Sequence, residues 1–101
     1  RNYYRDYRNK IINAIKQSAL YPKVTIEEEN AGLHFILGIK KEIDDNRFKK
    51  ILRENNINIS CVSDYCYNDL KEFDHKFIIN YSAVPEDKLK KALTIMNNAL
   101  E

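Results

Sequence analysis

The most apolar stretch of the chain is residues 31–39, with the sequence AGLHFILGI, in which His34 is the only polar side chain. Polar residues 29–30 and 40–41 bound it on either side. A short apolar run between polar residues predicts a strand that is buried on both faces. Gly32, at the start of the run, predicts a turn or a close backbone approach, because glycine adopts positive φ without steric cost. We therefore expect this run to be the central strand of a small sheet.

Apolar residues at helical spacing predict three helices. The first covers residues 1–20 and ends before Pro22, because proline lacks an N–H and disfavours helix at the preceding residue. The second begins at Asp44, a favourable N-cap residue, and Pro85 suits the first turn of the third. The apolar sides of the three helices are Tyr4, Ile11, Ile12, Ile15 and Ala19; Phe48, Ile51 and Leu52; and Leu89, Leu93, Met96 and Leu100.

Three further segments predict strands. Residues 24–29 begin with β-branched residues and end in three acids, which indicates a strand with one exposed face. Residues 57–61 alternate apolar and polar side chains, and residues 76–81 form a second apolar run. Between these two strands, residues 64–74 form a polar loop that carries aromatic residues, and loops of this length are often functional.

The predicted order is helix, strand, strand, helix, strand, strand, helix. This order indicates an α+β two-layer sandwich, in which helices cover one face of a small, mostly antiparallel sheet. The length of 101 residues fits a single domain spanning residues 1–101. Because the chain does not begin with methionine, we expect it to be an excised or processed fragment of a larger protein.

Composition narrows the possible classes of function. A formal net charge of +2 is too small to indicate nucleic-acid binding by itself. The basic, tyrosine-rich residues 1–10 could stack on bases and contact phosphates, although such a stretch is more often a solvated helix face. No apolar run approaches the roughly 18 residues of a membrane-spanning helix, and no signal peptide is visible. Two cysteines, Cys61 and Cys66, make neither a disulfide framework nor a metal set, so we expect free thiols in a reducing cytoplasm.

The sequence lacks the motifs of a complete active site. It has no metal-spaced His/Cys cluster, no phosphate-binding glycine loop and no G-x-S-x-G. His34 could act as an acid or base, although a lone histidine in an apolar strand is more often structural. We expect His75 to be solvated, and Cys66 to be reactive only if a cation lowers its pKa. The three glutamates at 27–29 suggest either a cation site or, more commonly, a charged edge that discourages strand pairing.

Five short motifs carry a resemblance to a known family. Together they resemble the C-terminal small subdomain of fold-type I aminotransferases, and most closely the MocR subfamily of GntR-type transcriptional regulators. A-G-L-H is the most specific motif, and none of the five is catalytic. In chain order they are Arg5-x-x-Arg8-x-x-Ile11, Ala31-Gly32-Leu33-His34-Phe35, Ile57-Asn58-Ile59, Ser63-Asp64-Tyr65, and Phe77-Ile78-Ile79-Asn80-Tyr81-Ser82 before a helix with an acidic start.

The resemblance implies a set of partners. Proteins of this subfamily join a winged-helix DNA-binding domain to an aminotransferase-like domain that binds pyridoxal phosphate. The resemblance implies that this chain helps to close a site for pyridoxal phosphate and an amino-acid or amine effector. It also implies that the whole regulator is a homodimer in the cytoplasm, without a membrane partner. The Schiff-base lysine and most phosphate-binding residues belong to the family's large domain. We therefore expect no pyridoxal phosphate bound to this chain alone.

The resemblance also marks site residues. It places His34, Ser63–Tyr65 (Ser63, Asp64 and Tyr65) and Ile78 near the ligand, with no catalytic residue and no metal ligand in this chain. Genuine aminotransferases usually carry an arginine for the substrate carboxylate at the position of Ile78, and nearby Lys76 offers only a point charge. This departure favours a regulator. The small domain of a genuine pyridoxal phosphate-dependent aminotransferase is the alternative, and a stand-alone binding or assembly module is a third possibility.

Overall fold

The computed structural model describes residues 3–27, 32–65 and 71–101. The order of helices and strands is the predicted one, which confirms the α+β fold class. Its elements in chain order are α1 (Tyr3–Lys16), β1 (Val24–Glu27), β2 (His34–Ile39), α2 (Asp45–Glu54), β3 (Ser60–Cys61), β4 (Lys76–Asn80) and α3 (Leu89–Ala99).

The four strands form one antiparallel sheet with the order β1-β2-β4-β3. β2 is hydrogen-bonded to a strand on each side, so the predicted central strand is confirmed. Its register places Gly38 opposite Thr25 of β1 and Lys76 of β4. β1 lies at one edge of the sheet, and the two-residue β3 lies at the other.

One hydrophobic core lies between the sheet and the three helices. Alternate residues of β2 (Phe35, Leu37 and Ile39) point into it and are buried. The ring of Phe77 lies 5.0 Å from that of Phe48 on α2, which joins sheet and helix layer. The helical residues of the core include Ile11 and Ile15 of α1, Phe48 and Leu52 of α2, and Ala92, Leu93 and Met96 of α3.

The expectation that the central strand is buried on both faces is wrong. His34 and Ile36, which point away from the core, are only half-buried. The physical reason is the position of the helices, since all three contribute to the single core on one side of the sheet. The opposite face is covered by none of them.

Side chains that bond to the backbone set several element boundaries. Asp44 is the predicted N-cap of α2, and its carboxylate accepts from the backbone N–H groups of Asn46 and Arg47 at 3.0 and 3.2 Å. α1 ends at Lys16 rather than at residue 20. Ser18 accounts for this earlier end, because its hydroxyl donates to the Ile15 carbonyl and accepts from the N–H of Leu20.

The third strand is shorter than predicted, and the third helix begins later. Ile57 is buried but donates its N–H to the Leu52 carbonyl at 2.8 Å, so this segment completes the end of α2 instead of pairing in the sheet. Pro85 precedes a 3₁₀ turn at Glu86–Lys88, and α3 follows at Leu89.

A buried tyrosine anchors α1 to the segment that follows β4. The Tyr7 hydroxyl donates to the Val84 carbonyl, 77 residues away along the chain. Burial, with a smaller contribution from the Glu86 carboxylate, raises the pKa of Tyr7 to about 12. Lys10, one turn further along α1, pairs with Glu86. The first helix is therefore joined to the segment that leads into α3.

Part of the predicted loop and turn lies outside the described residues. This applies to residues 28–31, which include two of the three glutamates, and to residues 66–70, which include Cys66. Cys61 is a buried free thiol. Among the described residues, none of the helices is long and apolar enough to cross a membrane.

Candidate functional site on the open sheet face

The side chains that alternate away from the core form what we name the open face of the sheet. Successive residues of a strand point to opposite faces, so the register of the four strands fixes its members. It consists of Thr25 and Glu27 on β1, His34, Ile36 and Gly38 on β2, Lys76, Ile78 and Asn80 on β4, and Ser60 on β3.

The centre of the open face is aliphatic. Ile36 and Ile78 are direct cross-strand partners, and both are half-buried. Ser60 lies opposite Ile78 on its other side. Two isoleucines at the middle of a face that no described helix covers give an apolar surface with polar residues around it.

The structure brings two of the five predicted site residues together. His34 lies opposite Asn80 and is therefore the diagonal neighbour of Ile78 on the same face. Diagonal neighbours in an antiparallel pair are roughly 7–8 Å apart, within reach of one small ligand. An imidazole, a carboxamide and an isoleucine side chain thus meet at one end of the open face.

The other three predicted site residues lie elsewhere. Ser63, Asp64 and Tyr65 belong to a 3₁₀ turn that directly follows β3, where Cys61 pairs with Phe77. His34 lies opposite Asn80, which is three residues beyond Phe77 on β4. Three residues of a strand span about 10 Å at roughly 3.3 Å per residue. The turn and His34 are therefore at different ends of the sheet.

Asp64 contacts the helix layer. Its carboxylate lies 3.4 Å from the ammonium of Lys49 on α2. The Lys49 side chain is mostly buried. Tyr65 is 69% exposed. This turn therefore has one side chain bound to a helix and one in solvent, and neither is part of the open face.

A polar bridge closes the opposite end of the open face. Glu27 accepts from the Lys76 ammonium at 3.0 Å and from the Thr25 hydroxyl at 3.3 Å. Lys76 and Glu27 are on β4 and β1, with β2 between them, and Gly38 is the residue of β2 that they flank. A Cβ at Gly38 would lie 2.4 Å from the Thr25 hydroxyl oxygen. The absent side chain at Gly38 therefore leaves room for the bridge.

The close approach predicted for Gly32 is found instead at Gly38. Gly32 does adopt a positive φ of 97°, which confirms the predicted turn. However, no atom lies within 4 Å of the position that its Cβ would occupy. The two glycines of the chain thus serve different purposes, one conformational and one spatial.

His75 is a polar residue that the sequence analysis missed. It was expected to be solvated, but only 18% of its side chain is exposed. Its Nδ1 lies 2.6 Å from one carboxylate oxygen of Asp45, and its backbone N–H donates to the other at 2.9 Å. Its Nε2 lies 3.3 Å from Glu42. His75 therefore joins the first residue of α2 to the start of β4.

The two carboxylates change the titration of this histidine. The hydrogen bond to Asp45 raises the pKa of His75 above its ordinary value, and burial opposes this only in part. Glu42 raises the same pKa further. His75 also has a φ of 61°, a left-handed conformation that histidine adopts more readily than bulky residues do. No sequence motif marks this cluster, since His75 and Asp45 are 30 residues apart.

The described residues include no cluster of metal ligands, and the lysine on the open face is paired. Within residues 3–27, 32–65 and 71–101, no group of three or more His, Cys, Asp and Glu side chains is arranged to hold a metal ion. Lys76 is the lysine of the open face, and its ammonium is bound to Glu27. The side chains present therefore do not fit a Schiff base with pyridoxal phosphate on this face.

Comparison with known proteins yields no assignment. No protein-family model matches the chain, and a search of curated proteins gives no match.

Proposed function

We propose that this chain is the C-terminal, aminotransferase-like subdomain of a GntR/MocR-type transcriptional regulator. In this role the open face of the sheet helps to close an effector site that lies against a large domain of the same protein. The observation that carries the proposal is the open face itself, on which His34, Ile36 and Ile78 lie together without a covering helix.

The composition of the open face suits a surface that closes over a ligand. The half-buried pair of Ile36 and Ile78 gains hydrophobic free energy when another part of the protein excludes water from it. His34 and Asn80 supply hydrogen-bonding groups at one end. The bridge between Lys76 and Glu27 satisfies the charges at the other end, so a ligand is best placed towards His34.

Pyridoxal phosphate, when bound to such a regulator, supplies an aldehyde that reacts with primary amines. Because Lys76 is bound to Glu27, we assign the holding of that cofactor to the large domain and not to this chain. The residues of the open face would then orient the effector and exclude water. Closure of this subdomain would be passed to a winged-helix domain bound to DNA, a common form of switching by hinge motion.

The aliphatic centre of the open face favours a regulator over an enzyme. A planar guanidinium binds a carboxylate through two parallel hydrogen bonds, which an isoleucine cannot make. Ile78 and Ile36 therefore provide no counterpart to the arginine that transaminases use. The same subdomain in a genuine aminotransferase is the alternative outcome.

The test uses the full-length protein and three measurements. Absorbance near the Schiff-base band after addition of pyridoxal phosphate reports cofactor binding. Affinity for the DNA upstream of its own gene is then measured with and without a mixture of amino acids and amines, and keto-acid formation is assayed in the same samples. We expect cofactor binding and a change in DNA affinity without keto acid. Keto-acid turnover would support the aminotransferase instead, and absence of cofactor binding would overturn both.

A further inference from the structure

The charges of this chain are sorted between its three helices and the segments outside them. The three helices contain ten Lys or Arg and three Asp or Glu, a net charge of +7. All other residues together contain seven Lys or Arg and twelve Asp or Glu, a net charge of −5. The small overall charge of +2 therefore hides a basic helix layer, whereas the four strands carry one acid, Glu27, and one base, Lys76.

Two grooves cross the basic layer, one on each side of α3, which packs against both other helices. The groove towards α1 has a volume of about 410 Å³, and its polar lining includes Gln17, Ser18, Lys90 and Asn97. The groove towards the end of α2 has a volume of about 240 Å³. Its polar lining is Asn55, Asn56, Lys88 and Lys91.

The side chains lining these grooves share one chemistry. The first groove combines one lysine ammonium with carboxamides and hydroxyls, and the second combines two with carboxamides. No Asp or Glu is among the described residues that line either groove. Lysine together with Asn, Gln, Ser and Thr is the set that contacts phosphate oxygens of nucleic acids. Two acids, Glu86 and Asp87, lie in the 3₁₀ turn before α3, and Glu86 is engaged by Lys10. The grooves therefore favour an extended polyanion that bears phosphates.

We propose that the helix layer is a docking surface for the phosphate backbone of duplex DNA, with α3 placed between two lines of phosphates. A helix with its side chains is about 10–12 Å across, so the two grooves are separated by roughly that distance. The major groove of B-DNA is about 12 Å wide. Lys90 on one side of α3 and Lys91 on the other can therefore contact the two strands of one duplex.

This contact carries no sequence specificity. Backbone contacts fix the position and orientation of a protein on DNA, whereas base edges specify sequence. The basic layer thus adds affinity to whatever other part of the protein reads the bases. The choice of DNA among phosphate polymers rests on the proposed function, whereas the charge sorting and the grooves do not.

The test measures binding of the full-length protein to a duplex of unrelated sequence at salt concentrations from about 50 to 200 mM. Each lost phosphate contact lowers the slope of log K against log salt by about 0.9. We expect Lys90→Ala/Lys91→Ala to lower this slope by about 2. The matched control is Lys40→Ala/Lys71→Ala, which removes the same charge from exposed positions outside the helices and should leave the slope unchanged.

Two outcomes would overturn the proposal. One is an unchanged slope in the Lys90→Ala/Lys91→Ala protein, or an equal loss in the control, which would mean that only total charge matters. The other is loss of binding to phosphatidylserine vesicles in that variant with no change in DNA binding, which would make the surface a membrane contact. Cofactor absorbance and effector response are separate readouts, so failure of the proposed function is recognised independently of the slope.

Discussion

The ammonium of Lys76 on β4 lies 3.0 Å from the carboxylate of Glu27 on β1, although β2 runs between these two strands. Gly38 makes this contact possible, because it is the residue of β2 between them and has no side chain. Both charged side chains are about a third exposed, so the ion pair itself adds little stability. The ion pair links the edge strand β1 to β4 across β2.

Gly38→Ala should destabilise the protein. The new Cβ would lie 2.4 Å from the Thr25 hydroxyl oxygen, and the β-branched threonine has few rotamers to move to. We expect a loss of about 1–3 kcal/mol in the free energy of unfolding, the usual cost of overpacking. Urea unfolding of the purified protein measures it.

A double-mutant cycle identifies the cause. In a Thr25→Ala background the hydroxyl is gone, so Gly38→Ala should cost much less there. An equal loss in both backgrounds would show that the clash with Thr25 is not the reason.

Gly32→Val should destabilise for a different reason. The site has open space, but its φ of 97° lies in a region that β-branched residues rarely adopt. We expect a cost of about 1–3 kcal/mol. The neighbouring Leu33→Val is the control, since Leu33 is 59% exposed and should change stability by no more than about 0.5 kcal/mol. Equal melting temperatures for Gly32→Val and the unmutated protein would contradict the prediction.

The cluster around His75 should make stability depend on pH. Because Asp45 raises the pKa of His75 in the folded state, the charged imidazole stabilises the fold. This stabilisation is complete below the unfolded pKa of about 6.5 and is lost as pH rises through the higher folded pKa. Urea unfolding from pH 5.5 to 9 should therefore show a decline on the alkaline side of 6.5.

Three variants assign that decline. His75→Asn, which tolerates the left-handed backbone, should remove it, and Asp45→Asn should reduce it strongly. Glu42→Gln should have only a small effect, since Glu42 is 96% exposed and its attraction is screened by water. The same decline in the His75→Asn protein would place the titrating group elsewhere.

Ile78→Arg tests the proposed function at a single position. In the full-length protein, an arginine there should strengthen binding of amino-acid carboxylates, because a guanidinium on the open face pairs with them bidentately. Ile36→Arg is the matched control, since Ile36 is the direct cross-strand partner on the same face. Effector titrations of both variants give the comparison. Equal gains would show that any added charge suffices, and no gain would show that Ile78 is not the carboxylate position.

The sequence predicts the parts of the fold that depend on local patterns. Helical periodicity and the N-cap Asp44 involve residues within one turn of each other, so they can be read from the chain itself. An apolar run such as Phe35-Ile36-Leu37 indicates a strand that contributes to a hydrophobic core. It does not show whether helices cover one face of that strand or both. The open face therefore became visible only in three dimensions.

The polar clusters escaped prediction for a related reason. Lys76 meets Glu27 because the sheet register brings β1 and β4 to either side of β2, and His75 meets Asp45 because the start of α2 lies beside the start of β4. A glycine inside a strand is also ambiguous in sequence. Gly32 was read correctly as a turn, whereas the role of Gly38 depends on two side chains from other strands.

The bond between Tyr7 and Val84 also constrains how the protein is made. Its two residues are 77 positions apart, so α1 cannot complete its packing until β4 and the segment after it have been synthesised. At roughly 5–20 residues per second, a ribosome takes about 4–15 s to cover that distance. Throughout this time the apolar side of α1, with Ile11 and Ile15, lacks its final partners. A nascent chain of this protein is therefore expected to be open to chaperone binding at α1 until the segment that contains Val84 has emerged.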